Sequence, residues 1–311
     1  MKPRISIILP TKEEEGAFYV IGGLKKLFGN EAELIVVDKD SSAPYINKLK
    51  RTGVTIVHQK SRGIENGLIE GFAHAHADVL ATIDADGTHE LSSIKAGYAL
   101  VNDGNSDLVL GNRMAPGRAG PGAMPPLLWF GNWGLSMVYN IFYRQDIHDI
   151  LTGMQVMNRE AYEKVKNNRP FKMPIAFFQT EIARAGFRVS EVPIKYTKRR
   201  WGESKLAKSS KLKYGFNSAR CIMLRSPYIR SFLTLGLVGI FVILVGLSVL
   251  LYNTLQYLSL PSYTSVIGWL LSDSAAVKRG ISETAMEPSI TSIMLPTLNA
   301  SPKFPRTAVV V

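Results

Sequence analysis

Val79-Leu80-Ala81-Thr82-Ile83-Asp84-Ala85-Asp86 is the stretch on which the fold turns. Its first five residues carry no charge and read as a strand buried on both faces, and two carboxylates follow where the chain would leave the sheet. Outward from it, Ile5–Leu9, Glu33–Val37, Val54–Val57 and Leu108–Leu110 have the same character, and the segments between them read as helices or turns. Such alternation predicts an α/β domain of βαβ units, with a mostly parallel central sheet covered on both faces. Ligands of these sheets gather at the carboxyl ends of the strands. That rule selects Pro10-Thr11-Lys12-Glu13-Glu14 after the first strand, Asp38 after the second and Asp84-Ala85-Asp86 after the fourth.

Carboxylates at i and i+2 after a buried strand can reach one cation. Mg²⁺ or Mn²⁺ takes one or two protein carboxylates and completes its shell with diphosphate oxygens and water, so Asp84 and Asp86 are the candidate metal ligands. Alone the pattern is common, because two acids in a turn are usually just solvated. Asp38, at the neighbouring strand end, is placed to accept hydrogen bonds from a base or ribose, or simply to form the turn. Arg62-Gly63-Ile64-Glu65-Asn66-Gly67 opens a predicted helix and can offer a cation and backbone N–H groups to phosphate. It is not G-x-G-x-x-G and does not follow the first strand, which disfavours a dehydrogenase.

The 311 residues carry 37 Lys and Arg against 25 Asp and Glu, a formal net charge of +12. Much of that excess lies in Lys195, Lys198, Arg199, Arg200, Lys205, Lys208, Lys211 and Lys213, followed by Arg220, Arg225 and Arg230. From Ser231 to Ser272 there is no Asp, Glu, Lys or Arg, and Phe232–Tyr252 has the length of a transmembrane helix. Basic residues beside a span mark its cytosolic end and are attracted to anionic lipid, which places residues 1–230 in the cytosol at the cell membrane. The same charge could serve nucleic acid, but the run abuts the span and has few interleaved aromatics, so no nucleic-acid partner is expected. The N-terminus is unlike a signal peptide. The single Cys221 excludes an intramolecular disulfide and any multi-cysteine metal site.

Met114–Pro126 is rich in Gly, Pro and Ala and reads as a lid or a connector. Leu127–Tyr143 is apolar and aromatic but interrupted. It suits a helix in the membrane interface, with Trp129, Trp133 and Tyr139 at headgroup depth, or ordinary core packing. Tyr252–Leu271 is a weaker candidate for a second span, and the Ser, Thr, Pro and Ala-rich tail from Asp273 reads as poorly ordered. The expected organisation is a cytosolic domain over 1–225, a juxtamembrane segment and transmembrane helix over 226–260, and a weak hydrophobic segment with the tail over 261–311.

Taken in order, Pro10-Thr11-x-x-Glu14, Val37-Asp38-x-x-Ser41, Arg62-Gly63, Glu70-Gly71-Phe72, Asp84-Ala85-Asp86 and Gly111-Asn112-Arg113 form a recognisable series. Asp149-Ile150-Leu151-Thr152-Gly153, Glu191-Val192-Pro193-Ile194 and Arg199-x-x-Gly202-Glu203-Ser204-Lys205-Leu206 continue it. Over residues 4–225 the series resembles the family-2 glycosyltransferases of GT-A fold, in particular the prokaryotic or archaeal polyprenyl- or dolichyl-phosphate mannosyltransferase branch. The resemblance implies a nucleotide-sugar donor, GDP-mannose or UDP-glucose or UDP-GlcNAc, and inverting, metal-dependent transfer of the hexose to dolichyl or polyprenyl phosphate at the lipid bilayer. It implies nucleotide-sugar contacts at Pro10, Thr11, Glu14, Asp38, Arg62, Gly63, Asp84 and Ala85. Asp84 and Asp86 would hold Mg²⁺ or Mn²⁺, Asp86, Arg113, Arg199 and Lys205 would be catalytic, and Thr152, Gly153 and Ser204 would lie at the acceptor. Glu13, Thr88 and Gln155 depart from the branch's usual Asn, Gln and Arg.

A lipid monophosphate has a second pKa near 6, so at pH 7 it is largely dianionic and already nucleophilic. Cations that offset its charge matter more than a general base. Two other classes compete with this reading. A sugar nucleotidyltransferase shares the fold but needs a Gly-rich, basic first loop, where this chain has Glu13, Glu14 and Glu15. The other is a membrane-tethered sugar- or lipid-binding protein without catalysis.

Overall fold

The computed structural model describes residues 2–168, 176–202 and 208–259. Its sheet has β1 (Ile5–Thr11), β2 (Ala32–Asp38), β3 (Thr55–His58), β4 (Val79–Thr82), β5 (Leu108–Asn112), β6 (Gln155–Asn158) and β7 (Val189–Pro193). The order is β3-β2-β1-β4-β6-β5-β7. Neighbours run parallel except β6, which is antiparallel to both β4 and β5. The five strands legible from their apolar runs are all present. β6 and β7 are additions that the sequence reading did not contain.

Nine helices are described: α1 (Gly16–Phe28), α2 (Ala43–Arg51), α3 (Ile64–Phe72), α4 (Ser93–Asn102), α5 (Pro126–Tyr143), α6 (Arg159–Val165), α7 (Phe177–Arg184), α8 (Lys208–Arg225) and α9 (Ile229–Ser259). Helices α1 to α8 cover the sheet on both faces, as continuous apolar strands require. One core joins Val20, Ile21 and Leu24 of α1, Leu49 of α2 and Ile94 of α4 to Ile7, Leu9, Val36 and Val156. The other joins Leu68, Ile69 and Phe72 of α3, Tyr139 of α5, Phe178 of α7 and Ile222 of α8 to Ile8, Leu80 and Met157.

For Tyr139 of α5 the structure selects the core-packing alternative. Tyr139 is fully buried, and its hydroxyl donates to the Gln179 carbonyl at 3.0 Å, so it belongs to the core and not to headgroup depth. Leu127, Phe130, Trp133, Met137 and Ile141 lie on the exposed side of the same helix.

Residues 195–201 run across the mouth of the sheet. The Glu90 N–H donates to the Lys195 carbonyl (3.0 Å), the Thr197 N–H to Thr88 (2.9 Å), the Tyr196 N–H to Arg118 (2.9 Å) and the Gly120 N–H to Tyr196 (2.8 Å). This strap therefore ties the turn after β4 to the Gly- and Pro-rich loop after β5.

The chain divides into two compact units, Met1–Val238 and Gly239–Val311, and the first contains the whole sheet. The expected boundary at 225 is the last residue of α8, whereas the compact unit continues into α9. α9 is one uninterrupted helix of 31 residues, longer at both ends than the expected Phe232–Tyr252. Every residue from Ser231 to Tyr257 is exposed. The hydrophobic segment and tail expected over 261–311 lie outside the described residues.

Candidate active site

The turn after β4 carries both carboxylates. The Ile83 N–H still donates to the Ile8 carbonyl (3.3 Å), so the chain leaves the sheet only at Asp84. Two glycines make room for the carboxylate turn. A Cβ on Gly153 would lie 2.1 Å from Asp84 Oδ2, and one on Gly16 would lie 2.8 Å from both the Ala85 carbonyl oxygen and the Asp86 carbonyl carbon. The Asp84 side chain is nevertheless 41% exposed, and so faces the cleft.

Asp86 is held on both oxygens. Its Oδ1 accepts from the Thr88 N–H (3.1 Å) and the Thr88 hydroxyl (2.7 Å), while Oδ2 accepts from Arg199 Nη2 (2.8 Å) and Nε (3.2 Å). Nη1 of Arg199 lies 3.4 Å from Glu14 Oε2. Burial alone would push the Asp86 carboxyl up, but the hydrogen bonds from Thr88 and Arg199 prevail and hold it below the usual carboxylate value. Because the Thr88 hydroxyl donates to Asp86, the contact at 3.1 Å has His89 Nδ1–H donating to the Thr88 oxygen. Burial lowers the His89 pKa, so the ring is neutral and braces the turn.

At the ends of β1 and β2, the parallel register sets Pro10 opposite Val37 and Thr11 opposite Asp38. Asp38 is 1% exposed. Its Oδ1 accepts from the hydroxyls of Ser41 (2.5 Å) and Thr11 (3.1 Å), and Oδ2 accepts from the Ser41 N–H (3.1 Å). The turn-forming role of Asp38 is therefore real, and it fixes the loop beside Glu14. The Glu14 carbonyl accepts from the Tyr45 hydroxyl at 2.8 Å. Gly63 precedes α3 with φ of 93°, and Arg62 beside it is exposed.

Arg113, expected to face phosphate, is the partner of a buried carboxylate. Its Nε and Nη2 donate to Asp149 at 2.7 and 2.8 Å, Nη2 also donates to the Leu151 carbonyl (3.0 Å), and its backbone N–H donates to Asp149 (2.9 Å). Asp149 is fully buried, so it needs this counter-charge. Burial opposes its ionisation, but the Arg113 charge and hydrogen bonds hold its carboxyl below the usual range. Glu191 on β7 accepts from the backbone N–H groups of His148 and Asp149 (2.9 and 2.8 Å), fixing the loop that leads to Thr152 and Gly153. Thr152 is 1% exposed and its hydroxyl accepts from the Met154 N–H (3.3 Å), whereas Gly153 reaches the carboxylate turn. Ser204 and Lys205 lie outside the described residues.

Sequence reasoning missed Glu65. It sits in the first turn of α3, 5% exposed, with Oε2 buried and without a hydrogen-bond partner. Burial first, and the charge of Asp84 second, push its carboxyl well above the usual range. Its signal was present: Glu65 shares the spacing of Leu68, Ile69 and Phe72, which all face the sheet.

The site fits a hard divalent ion. Among the described residues no three His, Cys, Asp or Glu side chains converge as a ligand cluster. Asp84 and Asp86 offer oxygen donors only, which matches an ion that draws its other ligands from diphosphate and water.

Residues 6–166 match the family model described as glycosyl transferase family 2. The low-salt glycan biosynthesis hexosyltransferase Agl6 of Haloferax volcanii is 27% identical over 237 residues. That match covers 72% of this chain but only 54% of the relative, so the chain spans about half of that relative's length. A dolichyl-phosphate hexose transferase of Haloferax volcanii is 26% identical, over 65% of this chain and 86% of the relative. Among solved structures, glucosyl-3-phosphoglycerate synthase from Mycobacterium tuberculosis, in complex with Mn²⁺, UDP and glucosyl-3-phosphoglycerate, superposes with a TM-score of 0.53. It is 15% identical, over 72% of this chain and 80% of that one, a likeness of fold.

Proposed function

The chain belongs to glycosyl transferase family 2 with a GT-A fold, and from that membership and the geometry of the site we propose that it transfers a hexose from a nucleotide-sugar to a polyprenyl or dolichyl phosphate. The observation that carries the proposal is the Asp84-Ala85-Asp86 turn at the carboxyl end of β4, where Arg199 bridges Asp86 to Glu14 from the end of the neighbouring β1. The relatives' names supply the lipid phosphate.

In this reading Pro10, Thr11, Glu14 and Asp38 shape the seat of the nucleoside, with Arg62 and Gly63 at the start of α3 and Ala85 in the turn beside the donor. Asp84 and Asp86 hold Mg²⁺ or Mn²⁺, which when bound supplies charge neutralisation for the leaving diphosphate. The acceptor is already an anionic nucleophile, so a single displacement with inversion needs no general base. Arg199 and Lys205 offset acceptor charge as it approaches, with Ser204, Thr152 and Gly153 on the acceptor side. Arg113 acts from behind, holding Asp149 and the loop that presents Gly153.

α9 spans the membrane, the basic residues from Lys195 to Arg230 mark its cytosolic end, and the exposed apolar side of α5 rests in the interface. The catalytic domain over 1–225 then works on the cytosolic face, where both the nucleotide-sugar and the lipid phosphate are within reach.

Asp86→Ala is the direct test of the site. Transfer of labelled hexose to polyprenyl phosphate by membranes carrying the variant should fall on the order of a hundredfold or more, with the protein still folded and membrane-bound. Chelation of divalent ions should have the same effect on the wild type. Near-normal transfer in either case overturns the metal assignment.

A further inference from the structure

A metal ion at Asp86 would meet a cation already in place. Oδ2 holds two N–H groups of Arg199, at 2.8 and 3.2 Å, and Oδ1 holds both donors of Thr88. A carboxylate presents about four lone-pair sites, so both oxygens are fully engaged. Thr88 is part of the turn itself and is braced by His89. Arg199 comes from another part of the chain, 113 residues away, and is the group that can leave.

The strap that carries Arg199 is built for such a departure. Its backbone is pinned at Lys195, Tyr196 and Thr197 to Glu90, Thr88, Arg118 and Gly120. Beyond Thr197 the described anchors are side chains: Arg199 on Asp86 and Glu14, and Trp201 against Tyr19 with ring centroids 5.3 Å apart. Releasing Arg199 would leave the pinned portion in place and keep its guanidinium within a side chain's length of the same cleft.

We propose that Arg199 is a stand-in cation: it occupies the metal side of Asp86 in the resting protein, is displaced when the divalent ion enters with the donor, and is then available to the acceptor phosphate. This rests on the proposed glycosyl transfer and adds an order to it, with donor and metal before acceptor. The balance of charge favours the exchange. Among the described residues Asp86 and Glu14 share the Arg199 guanidinium, and Asp84 stands in the same turn as Asp86. A divalent ion offsets more of that negative charge than Arg199 does, and frees Arg199 when a second anion must be received.

Mn²⁺ binding to the full-length protein in detergent, followed by electron paramagnetic resonance without any sugar donor, tests the exchange. Arg199→Gln should bind Mn²⁺ roughly fivefold tighter or more than the wild type, a coupling at the lower end of the usual range between linked sites. Asp86→Asn should lose the site. Equal or weaker binding by Arg199→Gln, with Asp86→Asn still defective, overturns the exchange and leaves the metal site standing. Wild-type binding by Asp86→Asn overturns both. A second measurement uses the unmodified protein, in case the variant misfolds: Mn²⁺ should speed tryptic cleavage after Arg199, and unchanged cleavage contradicts its release.

Discussion

Asp149 shows how much of the site depends on a residue that need not touch substrate. It is fully buried, it takes two N–H groups of the Arg113 side chain, and its own backbone is held by Glu191. Removing one member of a buried pair leaves the other charge uncompensated, so Asp149→Ala should cost about 3–5 kcal/mol in urea unfolding at pH 7. The lowered carboxyl sets the sign of the pH dependence. Its stabilisation is present above the ordinary value of 3.8 and is lost as the pH falls through the lower folded value, so wild type and variant should converge only in strong acid. Equal stability at pH 7 would contradict the pairing. At this scale the sequence was legible where position alone decides. Asp38, Asp84 and Asp86 stand at strand ends, where the apolar runs before them place them. The pairing of Arg113 with Asp149 was not legible, because the partner stands 36 residues further on in the loop after α5. Glu65 was hidden by its charge: in the first turn of a helix an acid is expected to be solvated.

Elements were legible in proportion to how local their signals are. β1, β2, β3, β4 and β5 carry runs of buried apolar residues, and each was found to within two residues at either end. β6 is four residues long, begins with Gln155 and ends with Asn158, and gains its stability by inserting antiparallel between β4 and β5, a contact with no local trace. β7, Val-Ser-Glu-Val-Pro, is half-polar because it is an edge strand, and its Pro193 fits only there. α9 was plain from its lack of charge, though not its extent. At about 1.5 Å per residue its 31 residues run to roughly 46 Å, more than a ~30 Å hydrocarbon core needs. If it spans the bilayer, a charge near its midpoint is costly. Ile243→Lys should lose about 2.5–3.5 kcal/mol of insertion free energy, and a larger share of the protein should be extracted by alkaline carbonate. Unchanged retention would mean that α9 does not hold the protein in the membrane.

For the whole molecule, a net charge of +12 and a 31-residue apolar helix have one common explanation in the proposed function. In that proposal the basic strap and juxtamembrane segment would lie against an anionic surface, and the site beside them would receive an anionic lipid. Family membership fixes the fold and the class of chemistry. In the proposed function α9 is the membrane span and the acceptor is a membrane lipid. Identification of the product tests that assignment. Membranes carrying the protein are incubated with polyprenyl phosphate, Mn²⁺ and, in turn, GDP-mannose, UDP-glucose and UDP-GlcNAc, and the lipid fraction is weighed by mass spectrometry. The expected product is a polyprenyl-phosphate-hexose that forms with one of these donors and is absent when the membranes carry Asp86→Ala. A sugar product that forms without polyprenyl phosphate, or no glycolipid with any donor, would contradict a lipid acceptor.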